Sequence, residues 1–143
     1  MSGGYSTPDE ALDAYVTVLR TQDAEQYKAL FSRCPERARF PDDWVNKKAG
    51  GQGPDEKAKA WADWLKSVYE LEWTEGNYKR FPAEVVGNNA TVHCASKSSF
   101  GSNPPTVGYK RYDFEKHDGL WYQMNWHVLY LRDIDRKYIW NGK

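Results

Sequence analysis

The sequence is poor in several things at once. It has no excess charge, because 20 Lys and Arg balance 20 Asp and Glu. No basic stripe stands out, so nucleic acid is not an expected partner. No apolar run approaches the roughly 20 residues that a membrane-spanning helix needs, and no signal peptide is legible at the start. Cysteine occurs twice, as Cys34 and Cys94, in neither a zinc-site nor a CxxC spacing. These are read either as two buried thiols or as one bridge between the helical part and the sheet, and the second reading would favour a periplasmic or surface location. Histidine occurs three times, with no acidic companion at ligand spacing, so no metal site is read. The run Gly50-Gly51-Gln52-Gly53-Pro54 lacks a Gly-Lys-Ser/Thr ending and has no strand before it. It is a loop rather than a phosphate cradle, and no cofactor is implied.

What the chain does have is aromatic surface. Aromatics are 15% of its 143 residues, with seven Trp and ten Tyr. Such side chains bury large areas in cores and also line ligand pockets and interfaces. The length suits one domain over residues 1–143, with a flexible leader at 1–6 and a charged tail at 132–143. The opening Ser2-Gly3-Gly4 is compatible with an ordinary cytosolic start or with the residues that follow the lipidated cysteine of a bacterial lipoprotein; the cytosolic start is preferred.

The most informative stretch is Thr106 to Leu131, two aromatic-rich runs on either side of Asp118-Gly119. That dipeptide suits the positive φ of a tight hairpin turn. With it as the turn, Lys116 lies opposite Trp121, Phe114 opposite Gln123, Tyr112 opposite Asn125 and Lys110 opposite His127. One face then carries Tyr112, Phe114, Trp121, Gln123, Asn125, His127 and Leu129. The other carries Tyr109, Arg111, Asp113, Glu115, Tyr122, Met124, Trp126 and Val128. Three charges in a row belong toward water or a partner, so the Trp121 face is placed inward. Gln123, Asn125 and His127 then enter the interior, where polar groups need partners. They line a pocket, or they bond one another, the backbone or buried water.

Along the rest of the chain, Thr7-Pro8-Asp9-Glu10 is a helix start with a capping box. Ala11, Leu12, Tyr15, Val16 and Leu19 follow on one helical face. Asp23 caps a second helix that turns Tyr27, Leu30 and Phe31 inward, and Cys34-Pro35 stops it. Residues 35–54 read as irregular. Pro54-Asp55-Glu56 opens a third helix that buries Trp61, Trp64, Leu65 and Val68. From Leu71 the period shifts toward two, which suggests a short strand through Trp73. Phe81 to Val86 and Ala90 to Ser98 read as a hairpin about Gly87-Asn88-Asn89, with Val85, Val92 and Cys94 on one face and His93 pointing outward. In the tail, Tyr138, Ile139 and Trp140 dock on a groove or on a partner subunit.

This order is α+β: three N-terminal helices packed on one face of a curved antiparallel sheet. Two stretches carry a resemblance. The run Lys116-His117-Asp118-Gly119-Leu120-Trp121-Tyr122-Gln123-Met124-Asn125-Trp126-His127 is similar to the last hairpin of nuclear transport factor 2-like domains, where an Asp-Gly-x-Trp turn leads into a strand that often carries a His at the position of His127. The opening Thr7-Pro8-Asp9-Glu10-Ala11-Leu12-Asp13-Ala14-Tyr15, with Asp23-Ala24-Glu25 after it, resembles the first two helices of the same superfamily. The resemblance implies a cone-shaped, cystatin-like domain with a pocket between helices and sheet, commonly dimerising through the outer sheet face. The superfamily hosts ketosteroid-isomerase-like and SnoaL-like cyclase enzymes, dehydratases, lipoprotein domains and non-catalytic assembly domains, so the fold alone selects no activity.

Three functions are therefore carried forward. As a binding domain, the chain holds a small, mostly apolar ligand against Tyr15, Trp61, Trp64, Phe114 and Trp121, oriented by Gln123, Asn125 and His127. Tyr109, Tyr122, Met124 and Trp126 then form a homodimer interface. As a lyase, isomerase or cyclase, it uses His127 as general acid/base, with Tyr112 or Asn125 donating to a developing oxyanion. The inward hairpin face offers no carboxylate, a departure from the isomerase pattern. As an interaction module, it fills its own pocket and works through the outer aromatic face and the tail.

Overall fold

Helix starts form where the capping residues place them. In a computed structural model, which describes residues 4–49, 53–97 and 107–141, α1 spans Pro8–Thr21 and the Oγ1 of Thr7 accepts from the Glu10 N–H at 3.1 Å. Asp23 caps α2 (Ala24–Leu30) in the same way, accepting from the Gln26 N–H at 3.0 Å. The stretch expected to be irregular is instead helical. Pro35 opens a single turn, α3 (Pro35–Ala38), and α4 (Phe40–Ala49) follows, with Asp42 and Asp43 in its first turn, where carboxylates suit the helix dipole. Residues 50–52 of the glycine-rich run lie outside the described residues. The last helix, α5 (Pro54–Glu72), is longer than its sequence pattern suggested: it continues through Leu71, and Trp73 caps its C-terminus rather than forming a strand. Among the described residues the three expected helices are thus four of seven residues or more, plus the α3 turn.

Among the described residues the sheet is antiparallel, six-stranded and strongly curled. Its strands are β1 (Gly4–Tyr5), β2 (Tyr78–Arg80), β3 (Glu84–Val86), β4 (Asn89–Ser96), β5 (Gly108–His117) and β6 (Leu120–Leu129). Their order is β1-β6-β5-β4-β2, with β3 also on β4. Gly4 and Tyr5, assigned to the leader, pair with Tyr122 and Trp121 at the sheet edge. Pro82, which cannot donate to a ladder, falls between β2 and β3, so the strand expected from Phe81 begins only at Glu84, and β2 precedes it. The turn into β4 is Gly87-Asn88 rather than Asn88-Asn89, since Val86 pairs with Asn89. That moves the register by two, so Val85 keeps the face of Ala90 and Val92.

Asp118-Gly119 is the tight turn of the long hairpin, with φ of 53° and 80° at the two residues and His117 opposite Leu120. Lys116–Trp121 and Phe114–Gln123 pair as the parity argument predicts. Beyond them the ladder breaks: Tyr112 pairs with Trp126, Arg111 with His127 and Lys110 with Val128. Between the Phe114–Gln123 and Tyr112–Trp126 pairs, β5 advances two residues and β6 advances three. This is a β-bulge on β6 at Met124-Asn125, and it inverts the facing of everything after it. Trp126 turns inward and is 6% exposed, while His127 turns outward.

The core lies between the helices and the concave face. Tyr15, Tyr27, Phe31, Tyr112, Phe114 and Leu65 are almost wholly buried in it, joined by Trp61, Trp121 and Trp126. Its rings meet edge-on or tilted, Tyr15 against Phe31 at 5.8 Å and 90° for example, the arrangement that ring quadrupoles favour. The tail folds back on the convex face. Trp140 packs on Ala95 and Tyr109, and Tyr138 stacks on His93 with ring centroids 3.7 Å apart. Ile139 between them remains exposed.

Candidate functional site

A cavity of about 450 Å³ lies between α5 and the ends of β4, β5 and β6. Helical spacing puts Trp64, Val68, Leu71 and Glu72 on the one face of α5 that overlooks it, and Trp44 of α4 closes one side. The sheet supplies Cys94, Ser96, Lys110, Tyr112 and Val128. The bulge on β6 is what brings Val128 to the cavity wall.

The walls are mostly apolar, and their polar groups are few and tied down. Lys110 Nζ forms an ion pair with Glu72 across the helix–sheet gap, both side chains being largely buried. Burial pushes the Cys94 thiol up to about 12 and raises the Tyr112 phenol well above its ordinary value, so both keep their protons. Trp73 is 3% exposed and packs beside Tyr112, with ring centroids 5.9 Å apart.

Of the candidate ligand residues, only Trp64 lines this cavity. Tyr15, Phe114 and Trp121 are packed into the core. Trp61 is held in place by donating from Nε1 to Asp42 Oδ1 at 2.8 Å. Gln123 is inward and fully buried, as its parity predicts, but both of its amide atoms lack a partner and it does not reach the cavity. Of the candidate catalytic residues, Tyr112 lines the cavity and the other two do not. Asn125 sits at the bulge, where its Oδ1 accepts from Arg37 Nε and from the Trp126 N–H. His127 stands on the convex face, its Nε2 3.0 Å from Asp113 Oδ2, and Arg111 holds the same carboxylate through Nε at 2.9 Å. The imidazole is therefore separated from the cavity by the sheet.

The four residues expected at a dimer interface do not form one apolar surface. Trp126 is in the core, and Tyr109 is covered by Trp140, whose N–H donates to the Tyr109 Oη at 3.1 Å. Tyr122 lies under Arg33 at the β1 edge, and Met124 is part of the bulge. Cys34 and Cys94 are both free thiols. No group of three His, Cys, Asp or Glu able to hold a metal ion occurs among the described residues, and no described helix is long and apolar enough to cross a membrane.

Sequence reasoning missed Trp44, Glu72, Trp73 and Lys110 as cavity residues. A signal for Glu72 was present: the three-and-four spacing of Trp61, Trp64, Leu65 and Val68 continues without a break through Leu71 and Glu72. Lys110 was signalled as well, since strand alternation puts it on the face of Tyr112 and Phe114; the bulge changes only its partner on β6, from His127 to Val128.

No family model matches the chain, and no curated protein matches it. Among solved structures, it is similar to the solution structure of a SEC-C motif containing protein from Rhodopseudomonas palustris. The two are 20% identical, with a TM-score of 0.37, over 82% of this chain and 91% of that one. A likeness of this size identifies no family.

Proposed function

We propose that the chain is a small-molecule-binding domain whose ligand occupies the cavity between α5 and the ends of β4, β5 and β6. The observation that carries this reading is the cavity itself. Its volume of about 450 Å³ falls in the range of roughly 300–1,000 Å³ typical of ligand pockets. Its walls are apolar with a few fixed polar groups, the composition such pockets share. The nuclear transport factor 2-like resemblance supports the same reading, since it implies a pocket between helices and a curved sheet. The helix count departs from that pattern.

The reading as a lyase, isomerase or cyclase loses its acid/base residue, because His127 lies across the sheet from the cavity. Among the groups that remain, Lys110 and Glu72 are engaged with each other, while Tyr112 and Cys94 are held protonated by burial.

The test is titration with N-phenyl-1-naphthylamine, a neutral apolar fluorophore, against the native chain and Val68→Trp, which puts an indole into the cavity. Saturable one-to-one binding by the native chain, lost in a folded Val68→Trp variant, is expected. Absence of binding, or binding that the folded variant retains, would defeat the proposal.

A further inference from the structure

Glu72 is the last residue of α5 and Lys110 lies near the start of β5, so their ion pair spans the gap between helix and sheet on the cavity wall. The Lys110 side chain is 23% exposed and that of Glu72 18%. Both are thus largely buried, yet both keep accessible surface and both line the cavity. An ammonium carries three N–H donors and a carboxylate two acceptor oxygens. The contact between Nζ and Oε1 uses one donor and one oxygen. The pair therefore has capacity for a further acceptor at Lys110 and a further donor at Glu72, side by side on a wall that is otherwise mostly apolar. Hydrogen bonds to charged groups are the stronger kind, and more so away from bulk water.

The pair also sets the ligand's charge. A carboxylate brought to Lys110 would stand beside Glu72, and an ammonium brought to Glu72 would stand beside Lys110. Like charges so close in an apolar wall repel, and displacing one partner leaves the other buried and unpaired. A neutral head group avoids both costs. A primary carboxamide matches the pair: its oxygen accepts from Lys110 and its N–H donates to Glu72, from neighbouring positions on one planar group. A ketone can do only the first. The apolar body of such a ligand would rest on Trp64, Val68 and Leu71.

We infer that the cavity binds a neutral, mostly apolar molecule through a carboxamide head group that bridges Lys110 and Glu72 without parting them. The inference rests on the binding function proposed above and specifies its ligand class. The added hydrogen bond to Glu72 favours the amide by about tenfold over a ketone of the same shape.

The experiment uses four matched probes on the intact chain: 3-phenylpropanamide, 4-phenylbutan-2-one, which replaces NH2 by CH3, the anion 3-phenylpropanoate and the cation 3-phenylpropylammonium. Affinities are read from titrations followed in ¹H–¹⁵N spectra. The amide is expected to bind about tenfold tighter than the ketone and at least as far above the two ions, and to shift the main-chain amide resonances of Glu72 and Lys110. In the double variant Glu72→Leu/Lys110→Met, which replaces the pair by apolar groups of similar volume, the ratio of amide to ketone affinity should fall to near one. Because that is a ratio within one variant, a general loosening of the fold cancels from it, and the comparison on the native chain stands even if the variant fails to fold. Equal binding of amide and ketone to the native chain would overturn the inference and leave the binding function standing. So would tighter binding of either ion than of the amide, unmoved Glu72 and Lys110 resonances, or a preference for the amide that the double variant retains. Failure of all four probes while N-phenyl-1-naphthylamine still binds would likewise overturn this inference alone. Failure of that fluorophore as well would remove the binding function itself.

Discussion

Arg37 donates from Nη2 to the main-chain oxygen of Trp126 at 3.1 Å, and its guanidinium lies 4.0 Å above the Trp126 indole. Arg37 Nε is bonded to Asn125 Oδ1 as well. One side chain from the single-turn helix thus ties down the bulge that faces Trp126 inward and His127 outward. A charged hydrogen bond to backbone contributes about 1.5–3 kcal/mol and a partly desolvated cation–π contact about 1–2 kcal/mol. We expect Arg37→Ala to destabilise the fold by roughly 2–4 kcal/mol. Arg37→Lys should recover little of this, because an ammonium cannot serve both donor directions while stacking on the ring. Urea unfolding of the two variants is the check, and full rescue by lysine would contradict it.

His127 and Asp113 form the complementary case. Their contact is on the convex face, with the imidazole side chain 43% exposed. Exposed pairs of this kind contribute at most about 1 kcal/mol. His127→Ala should therefore change stability by less than about 1 kcal/mol and leave binding of apolar probes in the cavity unaltered. A marked loss of probe affinity in that variant would show that the histidine reaches the cavity after all.

The position of His127 also shows what the sequence could convey. The Asp118-Gly119 turn, the caps at Thr7 and Asp23, and the buried faces of α1 and α5 were all legible, because each depends on residues a few positions apart. The parity of the hairpin was legible as far as Phe114–Gln123. It failed one pair later, because a bulge leaves no local mark here: Met124-Asn125 carries neither Gly nor Pro, and its stabilising partner, Arg37, is remote in sequence. The candidate site failed with it, since His127 and Asn125 were placed by parity alone. The helical character of residues 35–49 was hidden by Pro35 and Pro41, which read as breakers; Pro35 in fact sits at a helix N-terminus.

Gly4 pairs with Tyr122 at the edge of the sheet. A methyl group at its Cα would come 2.9 Å from Tyr122 Cζ and Oη and 3.0 Å from Leu120 Cβ. Neither neighbour is free to withdraw: Leu120 adjoins the hairpin turn, and the Tyr122 ring is covered by Arg33 at 5.0 Å. Gly4→Ala is expected to cost about 1–3 kcal/mol, in the range for overpacking, and to detach β1 from β6. Faster amide exchange at Tyr5, with little change in β4 and β5, is the expected signature. An unperturbed exchange rate at Tyr5 would show that the edge accommodates the methyl group.

The stack of His93 and Tyr138 makes the tail's attachment depend on pH. The rings are 3.7 Å apart and within 4° of parallel, and His93 Nδ1 is buried without a partner. Burial lowers the imidazole pKa; Arg111 and Lys137 act in the same direction, while Glu84 and Asp113 oppose it. The folded state therefore favours the neutral ring more than the unfolded chain does. This contribution is complete above the unfolded pKa of about 6.5 and is lost as the pH falls through that value toward the lowered folded one. Replacing the ring by one that cannot titrate removes the effect. Unfolding free energies of the native chain and His93→Phe, each measured at about pH 7.5 and about pH 5.5, isolate it, because groups common to both cancel in the difference. The native chain should lose more stability on acidification than His93→Phe, and amide exchange over residues 136–141 should accelerate in the native chain alone. An equal or larger loss in the variant would mean that the imidazole does not govern the tail.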